Sequence, residues 1–372
     1  MLRQCRVARE LADETVVVGL GDYGDRIDGC LLRLVPPPVR GWGERLPRLA
    51  TVLGLRMAPW VDRIERWYAP SKTLMAIASG VQANLYIAND WPALPVAAQL
   101  ARLNGGLFGY DSHEWGPGEH NNKMYWRLLF PGLVRRVEKR WLEQAAFFST
   151  VSDGIADLYM GTYALAQKPS VIRNVPAFQE TLFRPTGECI EVLYHGIFNS
   201  NRGLEALIAS VAEWRSEFML VLRGWGNPAY EQELRELAQS LGVSGRVRFE
   251  PPVPPDEIVQ AATAADIGLF VPSGQEEQSR YVLPNKVFEY MMAGLAVCVS
   301  DMPDMARLVL DTNTGVTCDG GQPSAIAAAI NGLSRTQIDR FKTASLEAAK
   351  RLCAEAEDRQ FNKAMRVALG LA

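Results

Sequence analysis

The sequence predicts an α/β protein built of two Rossmann-like, doubly wound domains facing a central cleft. Three observations carry this. Short apolar runs of strand length alternate with Ala- and Leu-rich helical patterns along the chain, the signature of parallel sheets covered on both faces. The 372 residues, 48% hydrophobic, can bury a large core and exceed one ordinary domain. The stretch NVPAFQETLFRPTGECIE, from Asn174 to Glu191, has two prolines and no clean period, and reads as a break between halves.

The elements follow in order. RQCRVARELADE reads as a helix and Thr15–Gly19 as the strand after it. A doubly wound domain ordinarily opens on a strand whose loop approaches the ligand, so the N-terminal domain is expected to lack its first strand. Leu85–Ala88, Gly106–Tyr110 and Phe147–Val151 supply further strands before the break. Val192–Tyr194, Phe218–Arg223, Val247–Phe249, Ile267–Val271 and Ala296–Ser300 supply those after it. Pro92–Asn104, Gly203–Arg215 and Pro228–Leu241 are helical between them. The expected domains are 1–176 and 177–354, with a terminal helix at 355–372 able to pack back on the first. Ligands of open sheets sit outside the carboxyl ends of the strands, and two such halves put the chemistry between them.

Composition narrows the function. A net charge of −3 and a pI near 5.8 argue against a nucleic-acid footprint, although cations outnumber acids before Pro176 and acids outnumber cations after it. Six cysteines lie far apart with no CxxC pair, which suits reduced thiols in a cytoplasm better than disulfides or a zinc site. No apolar stretch approaches 18 residues and the Arg-rich start is not a signal peptide. The expectation is a soluble cytoplasmic protein, at most attached to the inner face of the plasma membrane.

The segment LPNKVFEYMMAGLAVCVSD, Leu283 to Asp301, holds the most specific signal. Pro284 suits a helix entry and Gly294 a helix stop, with an apolar strand behind. Glu289 sits between Phe288 and Tyr290, where an ionised carboxylate costs several kcal/mol unless it finds donors. Asn285, Lys286 and Glu289 share one helix edge that could grip a diphosphate and a sugar diol together. The alternative is a Lys286–Glu289 surface pair worth a few tenths of a kcal/mol. Upstream, VLYHGIFNSNRGLEAL reads as a strand ending at Tyr194, a loop with Gly196 and Gly203, and a helix. Such a loop lets backbone N–H groups and Arg202 approach phosphate, or is a plain turn with a surface Arg.

All three histidines read as loop residues: His113, His120 and His195. His113, beside Asp111 and Glu114 at a strand end, could act on a sugar hydroxyl or be a hydrogen-bonded structural residue. Two segments, Lys123–Trp141 and Met57–Lys72, interleave cations with aromatics, which suits an anionic membrane surface or a helix with a solvated face.

Together YDSHEW, STVSDGIADLY, VIRNVP, YHG…RGLEAL and LPNKVFEYMMAGLAVCVSDMPDMARLV resemble, in order and spacing, the nucleotide-sugar-dependent glycosyltransferases of family 4 with the GT-B fold. The resemblance implies transfer of a sugar, with retention, from a nucleoside-diphosphate sugar to a saccharide or lipid-linked acceptor in polysaccharide synthesis. It implies no cofactor and no bound metal. It places Arg202 and Gly196 on the diphosphate, Glu289 on the ribose, and Tyr281, Leu283, Pro284, Asn285 and Lys286 at the phosphates and transferred sugar. Arg223, Gly224 and Trp225 then border the base, with the Glu250–Pro254 loop, and His113 contacts the transferred sugar.

The chain departs from the pattern at Tyr281, where the family commonly has a second glutamate, with Glu276 and Glu277 slightly upstream. It departs again at Ile197 and Phe198, where a second basic residue often stands. These departures keep a catalytically degenerate nucleotide-binding or scaffold subunit of a polysaccharide assembly complex in view. A nucleotide-sugar 2-epimerase would need carboxylate acid and base groups, and the motif order suits transfer better.

Overall fold

Every strand pairing among the described residues is parallel, so the hydrophobic runs are covered on both faces by helices. The computed structural model describes residues 2–21, 29–36, 64–66, 68–121, 123–273 and 278–371. Glu276, Glu277 and much of the Met57–Lys72 segment lie outside them. The chain divides into two compact units, Met1–Arg173 with Glu357–Ala372, and Asn174–Ala356. Both are Rossmann-like α/β units.

The first unit runs α1 (Leu2–Leu11), β1 (Val16–Leu20), β2 (Leu31–Val35), α2 (Ala69–Ala78), β3 (Leu85–Asn89), α3 (Leu94–Asn104), β4 (Leu107–Ser112), α4 (Met124–Trp141), β5 (Phe147–Thr150), α5 (Asp153–Tyr163) and β6 (Ser170–Val171). Strands β3 to β6 form one sheet in chain order, and β1 and β2 pair separately. The chain does open on a helix ahead of β1. Ser152 starts α5 by accepting from the Ile155 N–H at 3.2 Å, a side-chain cap on an otherwise orphaned donor.

Helix α4 carries five cations and a single acid, Glu138, and turns that acid fully inward. Its carboxylate accepts from Tyr110, Tyr159 and Tyr163 hydroxyls at 2.9, 2.8 and 2.5 Å. Burial outweighs these three donors and pushes the carboxyl up to about 7.

The second unit runs β7 (Ile190–Phe198), α6 (Leu204–Ser210), β8 (Phe218–Gly226), α7 (Pro228–Ser240), β9 (Val247–Glu250), α8 (Ile258–Ala262), β10 (Ile267–Phe270), α9 (Asn285–Met292), β11 (Ala296–Ser300), α10 (Pro303–Asp311), β12 (Gly315–Cys318), α11 (Pro323–Asn331) and α12 (Arg335–Ala349). The last helix, α13 (Ala354–Ala368), sets Phe361 into the first unit, edge-on to Phe147 at 5.7 Å and beside Val7 and Ile172.

The sheet of the second unit has the order β12-β11-β10-β7-β8-β9. The chain moves outward from β7 through β8 to β9, then returns to the other side of β7 with β10. The switch in direction therefore falls between β7 and β10, where carboxyl-end loops diverge and leave a crevice. Behind it the core is continuous: Val287, Tyr290, Met291 and Met292 of α9 pack with Val192, Leu193, Ile267 and Leu269. Gly268 is required there, because an added Cβ would lie 2.1 Å from the Tyr290 ring.

Candidate functional site

Strands β7 and β8 continue past their apolar cores as a paired edge, with His195 opposite Arg223, Gly196 opposite Gly224 and Ile197 opposite Trp225. The expectation that β7 stops at Tyr194 and gives way to a loop is therefore corrected: His195 and Gly196 are strand residues. Two glycines make the edge possible. Gly224 has φ +155, and a Cβ there would fall 1.9 Å from the Gly196 carbonyl oxygen. At Gly196, φ +130, a Cβ would meet the Lys286 ammonium at 2.9 Å.

This edge and the N-terminal half of α9 enclose a cavity of about 290 Å³. His195, Arg223, Asn285, Lys286 and Glu289 form its polar side, while Ile197, Trp225, Pro252, Val253 and Ile258 form an apolar one. Helix α9 starts at Pro284, whose extended backbone (φ −72°, ψ 145°) brings no side-chain cap, so its first N–H groups have no cap from that residue.

The Lys286 ammonium is held at the cavity floor by aromatic faces. It lies 4.3 Å from the Tyr194 ring centre and 4.5 Å from that of Phe270, and donates to the Tyr194 hydroxyl at 3.3 Å. Burial, then the charge of Arg202, brings it down to about 7, against the opposing pull of Glu289. The surface Lys286–Glu289 pair is thus not what forms.

The nearest partner of Glu289 is His195, whose Nε2 stands 2.8 Å from Oε2. The distance is that of a hydrogen bond, and the ring is buried. The ring leans on Tyr290 at 4.6 Å, and the Tyr290 hydroxyl accepts from the His195 N–H at 3.1 Å. Burial lowers the His195 pKa, with Lys286 and Arg223 adding to the effect and Glu289 opposing it. Arg223 donates from Nε and Nη2 to one oxygen of Glu250 at 2.9 and 2.7 Å, while its buried Nη1 has no partner.

Of the residues singled out in the sequence, the structure thus gathers Gly196, Arg223, Gly224, Trp225, Asn285, Lys286 and Glu289. Arg202, Tyr281, Leu283 and Pro284 do not line the cavity. Arg202 lies over the Phe270 ring at 6.0 Å, Leu283 packs on the core, and Tyr281 closes a short 3-10 turn, Gln278–Tyr281. Sequence reasoning read His195 as a loop histidine and gave it no role at the site. Strand pairing across two glycines was the signal that places it.

Residues 190–336 match the family of glycosyl transferases group 1. This group 1 match begins with β7 and ends in the first turn of α12, so it contains the glycine edge and α9. The chain is 32% identical over 203 residues to the D-inositol 3-phosphate glycosyltransferase of Acidothermus cellulolyticus, covering 48% of this chain and 42% of that one. It is 28% identical over 188 residues to that of Corynebacterium diphtheriae, covering 49% and 42%. The match thus spans under half the length of these relatives. Among solved structures, Anabaena HepE in complex with UDP shares the fold at TM-score 0.69 and 17% identity, over 98% of this chain and 95% of that one. A Rickettsia africae glycosyltransferase does so at TM-score 0.70 and 12% identity, over 100% and 95%.

In the first unit, β4 ends in Asp111 and Ser112, one residue before His113. His113 Nε2 lies 3.1 Å from Asp111 Oδ2, and its N–H donates to Asp90 Oδ1 at 2.9 Å. Gln4 of α1 donates to Asp111 and, at 2.7 Å, to Asn89; Ser149 donates to Asp111 Oδ1 at 2.6 Å. Burial disfavours the His113 imidazolium, but the Asp111 hydrogen bond and the charges of Asp111 and Asp90 outweigh it and raise its pKa. Among the described residues, no cluster of three or more His, Cys, Asp or Glu could hold a metal ion. Nor is any described helix long and apolar enough to cross a membrane.

Proposed function

We propose that the protein is a retaining glycosyltransferase that moves a sugar from a nucleoside-diphosphate sugar to a saccharide or lipid-linked acceptor in polysaccharide or glycoconjugate synthesis. The observation that carries this is the meeting of Glu289, Asn285 and Lys286 with the glycine edge of β7 and β8 in one cavity. A carboxylate can accept both hydroxyls of a ribose. The Lys286 ammonium and the start of α9 face the diphosphate, with Arg202 nearby, and the apolar wall of Trp225, Pro252 and Val253 suits a flat base. Preorganised donors of this kind stabilise a departing diphosphate by about 3 kcal/mol each. No metal enters this scheme. His113 is assigned to the transferred sugar, with Asp111 Oδ2 beside its Nε2 at 3.1 Å.

The reading is tested by a thermal-shift series with UDP, GDP and ADP and their sugars, since a ligand bound only by the folded state raises Tm by mass action. A rise with one base is expected; none with any would overturn the reading. Tyr281, in place of the family's usual glutamate, favours the second reading, a nucleotide-binding subunit without transfer. Binding without any sugar release or transfer would support it.

Helix α4 adds a proposed location, the cytoplasmic face of an anionic membrane. Met124, Tyr125 and Leu128 are exposed on the same side of the helix as the exposed Arg135 and Lys139. Co-sedimentation with phosphatidylglycerol vesicles, and not with phosphatidylcholine vesicles, is expected; no difference would remove the proposal.

A further inference from the structure

We infer that His195 is a positioning residue that aims the Glu289 carboxylate at the paired hydroxyls of a bound ribose. The inference rests on the nucleotide-sugar reading and deepens it.

Glu289 sits on a helix with apolar, buried neighbours on either side: Val287, Phe288, Tyr290 and Met291. Its own side chain is 17% exposed at the cavity. Such a carboxylate has several rotamers, and only one presents two oxygens to a diol. The cation one turn back does not fix it, because Lys286 is drawn to the Tyr194 and Phe270 rings. What does stand beside it is His195, 8% exposed, with Nε2 at 2.8 Å from Oε2.

His195 is itself held from two sides. Its backbone N–H is tied to the Tyr290 hydroxyl, and its ring leans on the Tyr290 ring. Strand pairing with Arg223 fixes the backbone that carries it. The imidazole is therefore a rigid donor at the root of a flexible acid. Nε2 stands at hydrogen-bond distance from the carboxylate. With one oxygen accepting from Nε2–H, the carboxylate is held to face the hydroxyls.

The test compares UDP with 2′,3′-dideoxy-UDP by calorimetry, GDP and ADP being substituted where the wild type prefers those bases. The wild type is expected to bind the ribose form at least ~10-fold more tightly, the scale of two hydrogen bonds to a charged group. His195→Phe keeps a ring on Tyr290 and removes both nitrogens. It should bring the two affinities within about 2-fold by weakening only the ribose form. His195→Gln, whose amide N–H can reach the same carboxylate, should recover most of the preference. A His195→Phe protein with the wild-type preference would overturn the inference and leave the nucleotide reading standing. Equal weakening of both nucleotides would also overturn it, since His195 would then act on something other than the diol. Should the wild type bind none of the nucleotides, the nucleotide reading fails and the inference with it.

Discussion

Glu289 and His195 face each other at 2.8 Å across the floor of a cavity, close enough to share a proton. One lies on α9 and the other on β7, so the relationship exists only because the sheet order places β10 and its following helix beside β7. An acid in that position is useful to a ligand that brings hydroxyls.

Glu289→Ala should therefore weaken nucleoside-diphosphate binding at least ~10-fold, about 1.4 kcal/mol, while the fold survives. Titration calorimetry beside a melting curve reads both. Unchanged affinity would end the ribose assignment.

Lys286 couples binding to protons. Its pKa is lowered from 10.5 to about 7, so near pH 8 part of the population is neutral. A diphosphate beside it restores the charge, and binding should take up protons, seen as a dependence of the apparent enthalpy on buffer ionisation. Lys286→Met should abolish that dependence and weaken UDP more than uridine. For folding the sign is fixed: between about 7 and 10.5 the unfolded chain holds more protons at this site, so its contribution makes stability rise with pH.

His113→Ala should leave nucleotide affinity intact and lower transfer roughly a hundredfold or more. Asp111→Asn removes the hydrogen-bond partner that raises the His113 pKa, so the limb of the pH–rate profile due to His113 should move to lower pH. A fully active His113→Ala protein would remove His113 from the chemistry.

Glu138 supplies a stability signature apart from the cavity. Its carboxyl is raised from 4.5 to about 7, so between these values the folded state holds the proton more firmly than the unfolded state. Its contribution is complete below about 4.5 and lost as pH rises through about 7. Glu138→Gln should flatten this fall, and melts taken at about pH 5.5 and pH 8 would show a smaller difference than in the wild type. Equal differences in both proteins would contradict the buried-acid account.

Much of the architecture was legible because its determinants are local. The Ala296–Ser300 strand falls where its apolar run is, and α9 begins after Pro284, which suits a helix start and little else. Gly294 follows α9 with φ +71, the left-handed stop the sequence suggests. Strands β2, β6 and β12 were missed. Leu31–Val35 carries an arginine within five residues, and Gly315–Cys318 opens on a glycine and carries a threonine, so neither shows a clean apolar run. Each is completed by pairing with a distant neighbour.

The sequence by itself determined that this chain alternates parallel strands with helices, and that an acid, an amide and a cation share the first turns of one helix. Periodicity, prolines and glycines act over a few residues and leave marks there. Only the tertiary structure decided which way Lys286 points, that β7 runs on through His195, and that His195 stands under Glu289. Those outcomes depend on rings and backbone brought from β7, β8 and β10, and no stretch of sequence contains the interaction energy between segments that meet only after folding.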